Sequence, residues 1–121
     1  MEPKLYASIL KEALDDEGRY DAAKLAAFLD WTNQEIAEYL NRDPSAISRY
    51  GASPQYQESL SQLAAFVLHL LKLLDGNLTL ARAWLRTPVH VFGESPKQKI
   101  LHHDLKSVDS LLEEVESGFA A

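Results

Sequence analysis

Four histidines, a run of three acids and two neighbouring serines are the side chains of this chain whose types could do chemistry. His102 and His103 are adjacent, so on a helix they point apart and cannot share one metal ion easily, while His69 and His90 stand alone. With no cysteine anywhere and no His-x-x-x-His pair, no metal and no cofactor are expected. Asp15, Asp16 and Glu17 have the makings of a carboxylate cluster for acid–base work, yet no histidine or other proton partner lies near them in sequence. They read as a solvated loop that opposes the dipole at the end of a first helix, Pro3–Leu14, and lets that end fray. Ser45 and Ser48 lack a histidine nearby, and no glycine-rich phosphate loop occurs, so nucleophilic and phosphoryl chemistry have no support and no catalytic residue is assigned. Trp84 between Arg82 and Arg86 could stack on a base, but a tryptophan at helical spacing with leucines reads as core.

Recognition is a better prospect than catalysis. Asp21 can cap a helix over Ala22–Leu29, with Leu25, Phe28 and Leu29 inward, and Trp31 follows at the turn. Thr32-x-x-Glu35 is a capping box opening a helix that ends near Leu40. Asn41-Arg42-Asp43 breaks it, Pro44 restarts it, and Gly51 stops it after Tyr50. This order resembles a helix-turn-helix of the Xre type, in which Ala37 is small where two helices cross and Ile36, Leu40 and Ile47 fill the space between them. In that arrangement Ser45, Ala46, Ser48 and Arg49 face the major groove of DNA and Arg42 lies near the backbone. Arg42 stands where such motifs bury an aliphatic residue, so it either loosens the motif or adds a phosphate contact. The alternative is a plain αα-corner. Six acids against three bases between Asp21 and Glu58, and a net charge of −6 overall, give the chain little general pull towards phosphate.

The elements that position these residues are arranged around Pro54–Asp75. As a helix this stretch is roughly 33 Å long. Leu60, Leu63, Ala64, Val67, Leu71 and Leu74 form one apolar stripe, with Phe66, Leu70 and Leu73 beside it. Gln62, Ala65, His69 and Lys72 form a polar strip covering roughly 80°. A helix so apolar needs burial by the rest of the chain or by a second copy. The run is interrupted twice and falls short of the about 20 apolar residues of a membrane span. At 121 residues and 46% hydrophobic, the chain is one domain or two small helical halves on one core. No stretch alternates like a strand, so the fold class is all-α. The start, Met-Glu-Pro-Lys, lacks signal-peptide character, and with the missing cysteines this fits a cytoplasmic protein.

Beyond Gly76-Asn77 the pattern continues as a helix over Leu78–Arg86 ended by Thr87-Pro88, an apolar loop Val89–Phe92, a Ser95-Pro96 helix start, a break at His102-His103-Asp104 and a last helix from Leu105 to Glu116 with Val108, Leu111, Leu112 and Val115 inward. Ala81-Arg82-Ala83-Trp84-Leu85-Arg86-Thr87-Pro88, then Phe92-Gly93-x-x-Pro96, Ile100-Leu101, and Val108-x-x-Leu111-Leu112-x-x-Val115-x-x-Gly118 resemble the toxin-binding domain of the Xre/MbcA/ParS antitoxins, although the loop between Pro88 and Pro96 is about one residue short of that pattern. The resemblance implies an all-helical homodimer whose N-terminal half, 1–59, binds operator DNA and whose C-terminal half, 60–121, binds a RES-type toxin that consumes NAD. It implies Trp84, Leu85 and Pro88 as scaffold, and Gly118, Phe119, Ala120 and Ala121 as the end lying at the toxin's cleft. Read on its own, Phe119 either folds back or serves a partner. The expected function is an antitoxin that blocks the toxin sterically and represses its own operon; the alternative is a stand-alone dimeric transcriptional regulator.

Overall fold

The computed structural model describes residues 10–118, and within them the chain forms seven α-helices and no strand. The sequence dictates most of the starts. Asp21 accepts from the Lys24 amide and opens α1 (Ala22–Leu29). Thr32 and Glu35 exchange both bonds of a capping box at α2 (Asn33–Leu40), and Asp43 with Pro44 opens α3 (Pro44–Tyr50). Asn77 caps α5 (Leu78–Arg86), Ser95 and Gln98 form a second capping box at α6 (Pro96–Leu101), and Asp104 caps α7 (Leu105–Ser117). The central helix, α4 (Gln57–Leu73), has no side-chain cap; a 3-10 turn at Pro54–Tyr56 leads into it.

The helix ends follow one pattern. Asp30, Asn41, Asp75 and His103 adopt left-handed backbone with φ of 63°, 57°, 56° and 65°. The next amide then reaches back to a carbonyl of the last full turn: Trp31 to Ala26 at 2.7 Å, Arg42 to Ala37 at 2.9 Å, Gly76 to Leu71 at 2.7 Å and Asp104 to Lys99 at 3.0 Å. These bonds occupy carbonyls that a helix end otherwise leaves open. Asparagine, aspartate and histidine are the residues other than glycine most often found in that conformation.

Seven residues of α4 are buried: Leu60, Leu63, Ala64, Phe66, Val67, Leu70 and Leu71. Both expected apolar stripes therefore pack inside this chain, with Leu73 and Leu74 half-buried at their ends. Gln62, Ala65 and Lys72 of the polar strip are exposed. A single hydrophobic cluster runs from Leu10 and Leu25 through Ile36, Ile47 and α4 to Ile100, Val108 and Leu112. It joins α1, α2 and α3 at one end to α5, α6 and α7 at the other. Two polar links span the same seam: Arg82 Nε donates to the Phe28 carbonyl at 2.9 Å, and Lys97 pairs with Glu35. Tyr39 also ties α2 to α4, donating its hydroxyl to the Ser59 carbonyl at 2.7 Å, and burial pushes that phenol up to about 12.

Three local expectations change. The first helix does not reach Leu14, which is extended and bridges to Tyr20; Lys11–Ala13 is a 3-10 turn, and most of the expected helix lies outside the described residues. The acids after it lie at the surface, as a solvated loop does, but Asp15 orders a turn there. Asp15 Oδ1 accepts from the Glu17 and Arg19 amides at 2.9 Å each, closing an Asx-type turn, and the Arg19 amide leads the causes that hold its carboxyl below the ordinary range. Val115 is 47% exposed rather than inward, because α7 presents Val108 and Leu112 to the core and its last turn runs past it. No single helix among the described residues is long and apolar enough to cross a membrane.

Candidate nucleic-acid interface

α2 and α3 are joined by three residues, and the join is built from the Asn41 left-handed turn and the Asp43 cap. Ile36, Ala37, Leu40 and Ile47 are buried between them, as the small-and-aliphatic spacing predicts. α3 itself is short, and Ile47 is its one buried residue. Everything else on it faces outward or sideways, so its chemistry belongs to the surface.

Ser48 and Arg49 are exposed, and Arg49 has no ion-pair partner among the described residues. Ser45 is exposed too, but its hydroxyl donates to Asp43 Oδ1 at 2.9 Å, and its amide uses the same oxygen. Those bonds, the amide first, keep the Asp43 carboxyl below its ordinary value. Ser45 therefore completes the start of its own helix before it can reach anything else. Ala46 is half-buried, lying to the side of the outward face.

Arg42, where such motifs bury an aliphatic residue, is exposed. It does not enter the core. Its guanidinium lies 5.9 Å from the centroid of the buried Tyr56 ring, with Nη1 donating to the Asn41 carbonyl at 3.1 Å and Nη2 to Gln55 Oε1 at 3.4 Å. Tyr56, whose ring it approaches, is itself 3% exposed. Arg42 thus stays on the surface with donors to spare.

Beside α3 the surface forms an open groove of about 490 Å³. Arg19, Asp21, Ser48, Arg49, Tyr50, Ser53 and Gln55 are among the residues that line it. Its far wall is held by Gln57, whose amide accepts from the Tyr20 amide at 2.9 Å and donates to the carbonyls of Tyr20 at 2.8 Å, Ala52 at 3.3 Å and Ser53 at 3.2 Å. The Ala22 amide donates to the Gly51 carbonyl at 2.9 Å, closing the floor. A Cβ at Gly51 would stand 2.9 Å from both Asp21 Oδ1 and the Ile47 carbonyl, so only glycine lets α3 end against α1 this closely. Tyr50, Gln55 and Arg19 are not among the residues that sequence spacing selects. Arg19 and Arg49 are far apart in the chain, and only the docking of the loop at 51–53 on Tyr20 brings them to one groove.

The histidines build no chelate. His69 Nδ1 lies 3.3 Å from Asp109 Oδ1 and its Nε2 3.2 Å from Glu116 Oε1, so the ring is a strut between α4 and two turns of α7, with its acids on opposite nitrogens. His102 Nδ1 faces Glu94 Oε1 at 3.2 Å, while His90 and His103 are exposed. Among the described residues no group of three His, Asp or Glu side chains could hold a metal ion. At the other end, Leu85 is buried, Trp84 half-buried and Pro88 exposed. Gly118 ends α7 at φ 72°, its amide donating to the Val115 carbonyl at 3.1 Å; Phe119, Ala120 and Ala121 lie outside the described residues. No family model, curated protein or solved structure matches this chain.

Proposed function

We propose that this chain is a DNA-binding antitoxin. In this reading α2 and α3 act as a helix-turn-helix, Ser48 and Arg49 approach base edges, and Arg42 contacts the backbone. The C-terminal half binds a RES-type, NAD-consuming toxin, with the segment from Gly118 to Ala121 entering its cleft. Neutralisation is steric and takes no chemistry from this chain. A homodimer sets two copies of α3 at half-sites roughly 34 Å apart, which offsets the weak overall charge.

The observation that carries the DNA part is the exposed Arg49, without an ion-pair partner among the described residues, next to Ser48 on a helix whose inner face is closed by Ile47. The toxin part rests on the order of helix breaks from Ala81 to Gly118, which the resemblance picks out. Co-expression with the protein encoded beside this chain, followed by an NAD measurement, tests it. The full chain should preserve NAD and a chain ending at Ser117 should not; equal protection by both would exclude blocking by the tail.

A second reading is favoured by the links across the seam. Arg82 on the Phe28 carbonyl and Lys97 on Glu35 brace the ends of α1 and α2 from the C-terminal half. A stand-alone regulator would use that half only to brace and pair the DNA-binding helices. Full NAD depletion despite co-expression, together with intact promoter binding, would select this alternative.

A further inference from the structure

We infer that the groove beside α3, continued by Arg42, is a track for one DNA strand's phosphates. This rests on the DNA-binding reading above and extends its contact surface to Arg19, Tyr50, Ser53 and Gln55. The groove is rich in donors: two guanidinium groups, a tyrosine hydroxyl, two serine hydroxyls and an amide line one open channel. Tyr50 is 66% exposed, an unusual placement for an aromatic ring that nothing in the core requires. Asp21 adds one carboxylate to the lining, with its Oδ1 turned to the Lys24 amide that starts α1, against the two guanidinium groups. Arg19 is held by Asp15 at 3.6 Å and Glu17 at 3.1 Å, the first pair half-buried on its acid side and the second exposed, both surface pairs of small strength that a phosphate can compete with. Gln55 joins the two ends, lining the groove while its Oε1 accepts from Arg42.

A strand lying in this groove meets Gln55, Ser53, Tyr50 and Arg19, with Arg42 adjoining through Gln55, while Ser48 and Arg49 keep the base edges. Contacts of this kind position a duplex without reading its sequence, so they supply the affinity that an acidic chain otherwise lacks. The base-reading task stays with the outward face of α3.

The test compares the full chain with Arg19→Ala, Tyr50→Phe and Gln55→Ala on two duplexes, the promoter fragment upstream of its own gene and a scrambled fragment of equal length, across a salt series. Lys72→Ala is the control: it removes one exposed positive charge roughly 22 Å along α4 from Gln57. Each groove variant should weaken both duplexes by the same factor, about three- to tenfold, and Arg19→Ala should lower the slope of log affinity on log salt by about 1. Lys72→Ala should leave both unchanged. Groove variants that bind like the full chain, or a Lys72→Ala loss equal to that of Arg19→Ala, would overturn the track while leaving the DNA-binding reading standing. A full chain that binds neither duplex overturns both. Tyr50→Phe keeps the ring and its packing, so its result is independent of any damage to the Asp15 turn in Arg19→Ala.

Discussion

Glu35 serves two partners with one carboxylate. Its Oε1 accepts from the Thr32 amide at 2.8 Å and closes the capping box of α2, while Lys97 approaches the other oxygen and stacks its ammonium 6.0 Å over Trp31. Burial alone would raise this carboxyl, but Lys97 and Thr32 together outweigh burial and hold it below the ordinary 4.5. A carboxyl held low in the folded state contributes stability that is present above its ordinary value and is lost as pH falls through the folded one. Glu35→Gln should therefore unfold at a lower temperature than the parent chain at pH about 7, and the gap should narrow below pH about 4. A gap that stays constant across this range would show that Lys97 and Thr32 do not favour the ionised form. The Thr32-x-x-Glu35 spacing makes the cap legible in sequence. Lys97 is not legible, because it arrives from α6 through tertiary packing. Ser45 is the opposite case: its type and place suggest a base contact, and the local competition of Asp43 takes its hydroxyl first.

At the scale of elements, capping chemistry explains why so much was readable. Asp21, Thr32, Asp43 and Ser95 each accept an amide at the helix start that their type and place predict, whereas Asn77, read as part of a turn, and Asp104, read as part of a break, turn out to cap as well. The stripes of α4 were readable because a period near 3.6 leaves few ways to bury nine apolar side chains. Helix ends were harder. Gly76 looks like the terminator of α4, yet Asp75 before it already takes the left-handed turn. His103 does the same after α6; it is exposed, and its Cβ carries a left-handed cost that glycine does not. His103→Gly should therefore relieve strain and raise stability by up to about 1 kcal/mol, a rise in thermal midpoint of roughly 3–6 °C. A lower midpoint in His103→Gly would mean that the imidazole contributes more than its backbone costs.

The whole molecule is one apolar cluster threaded by α4, with the helices that carry the DNA reading at one end and those that carry the partner reading at the other. Packing of α6 on α2, of α7 on α4 and of α5 on α4 makes the two ends neighbours rather than separate modules. The all-helical class followed from pattern alone. The direct contact between the ends did not, since it depends on Lys97 meeting Glu35 and Arg82 meeting the Phe28 carbonyl. The groove beside α3 was hidden for the same reason, its residues being gathered by Gln57 and Gly51. The central claim is that α3 reads DNA through Arg49, and affinity for the upstream promoter fragment against its scrambled counterpart measures it most directly. The full chain should prefer the promoter, and Arg49→Ala should lose about 1–3 kcal/mol of that preference while remaining folded. Equal promoter preference in the full chain and in Arg49→Ala at every salt concentration would contradict the account.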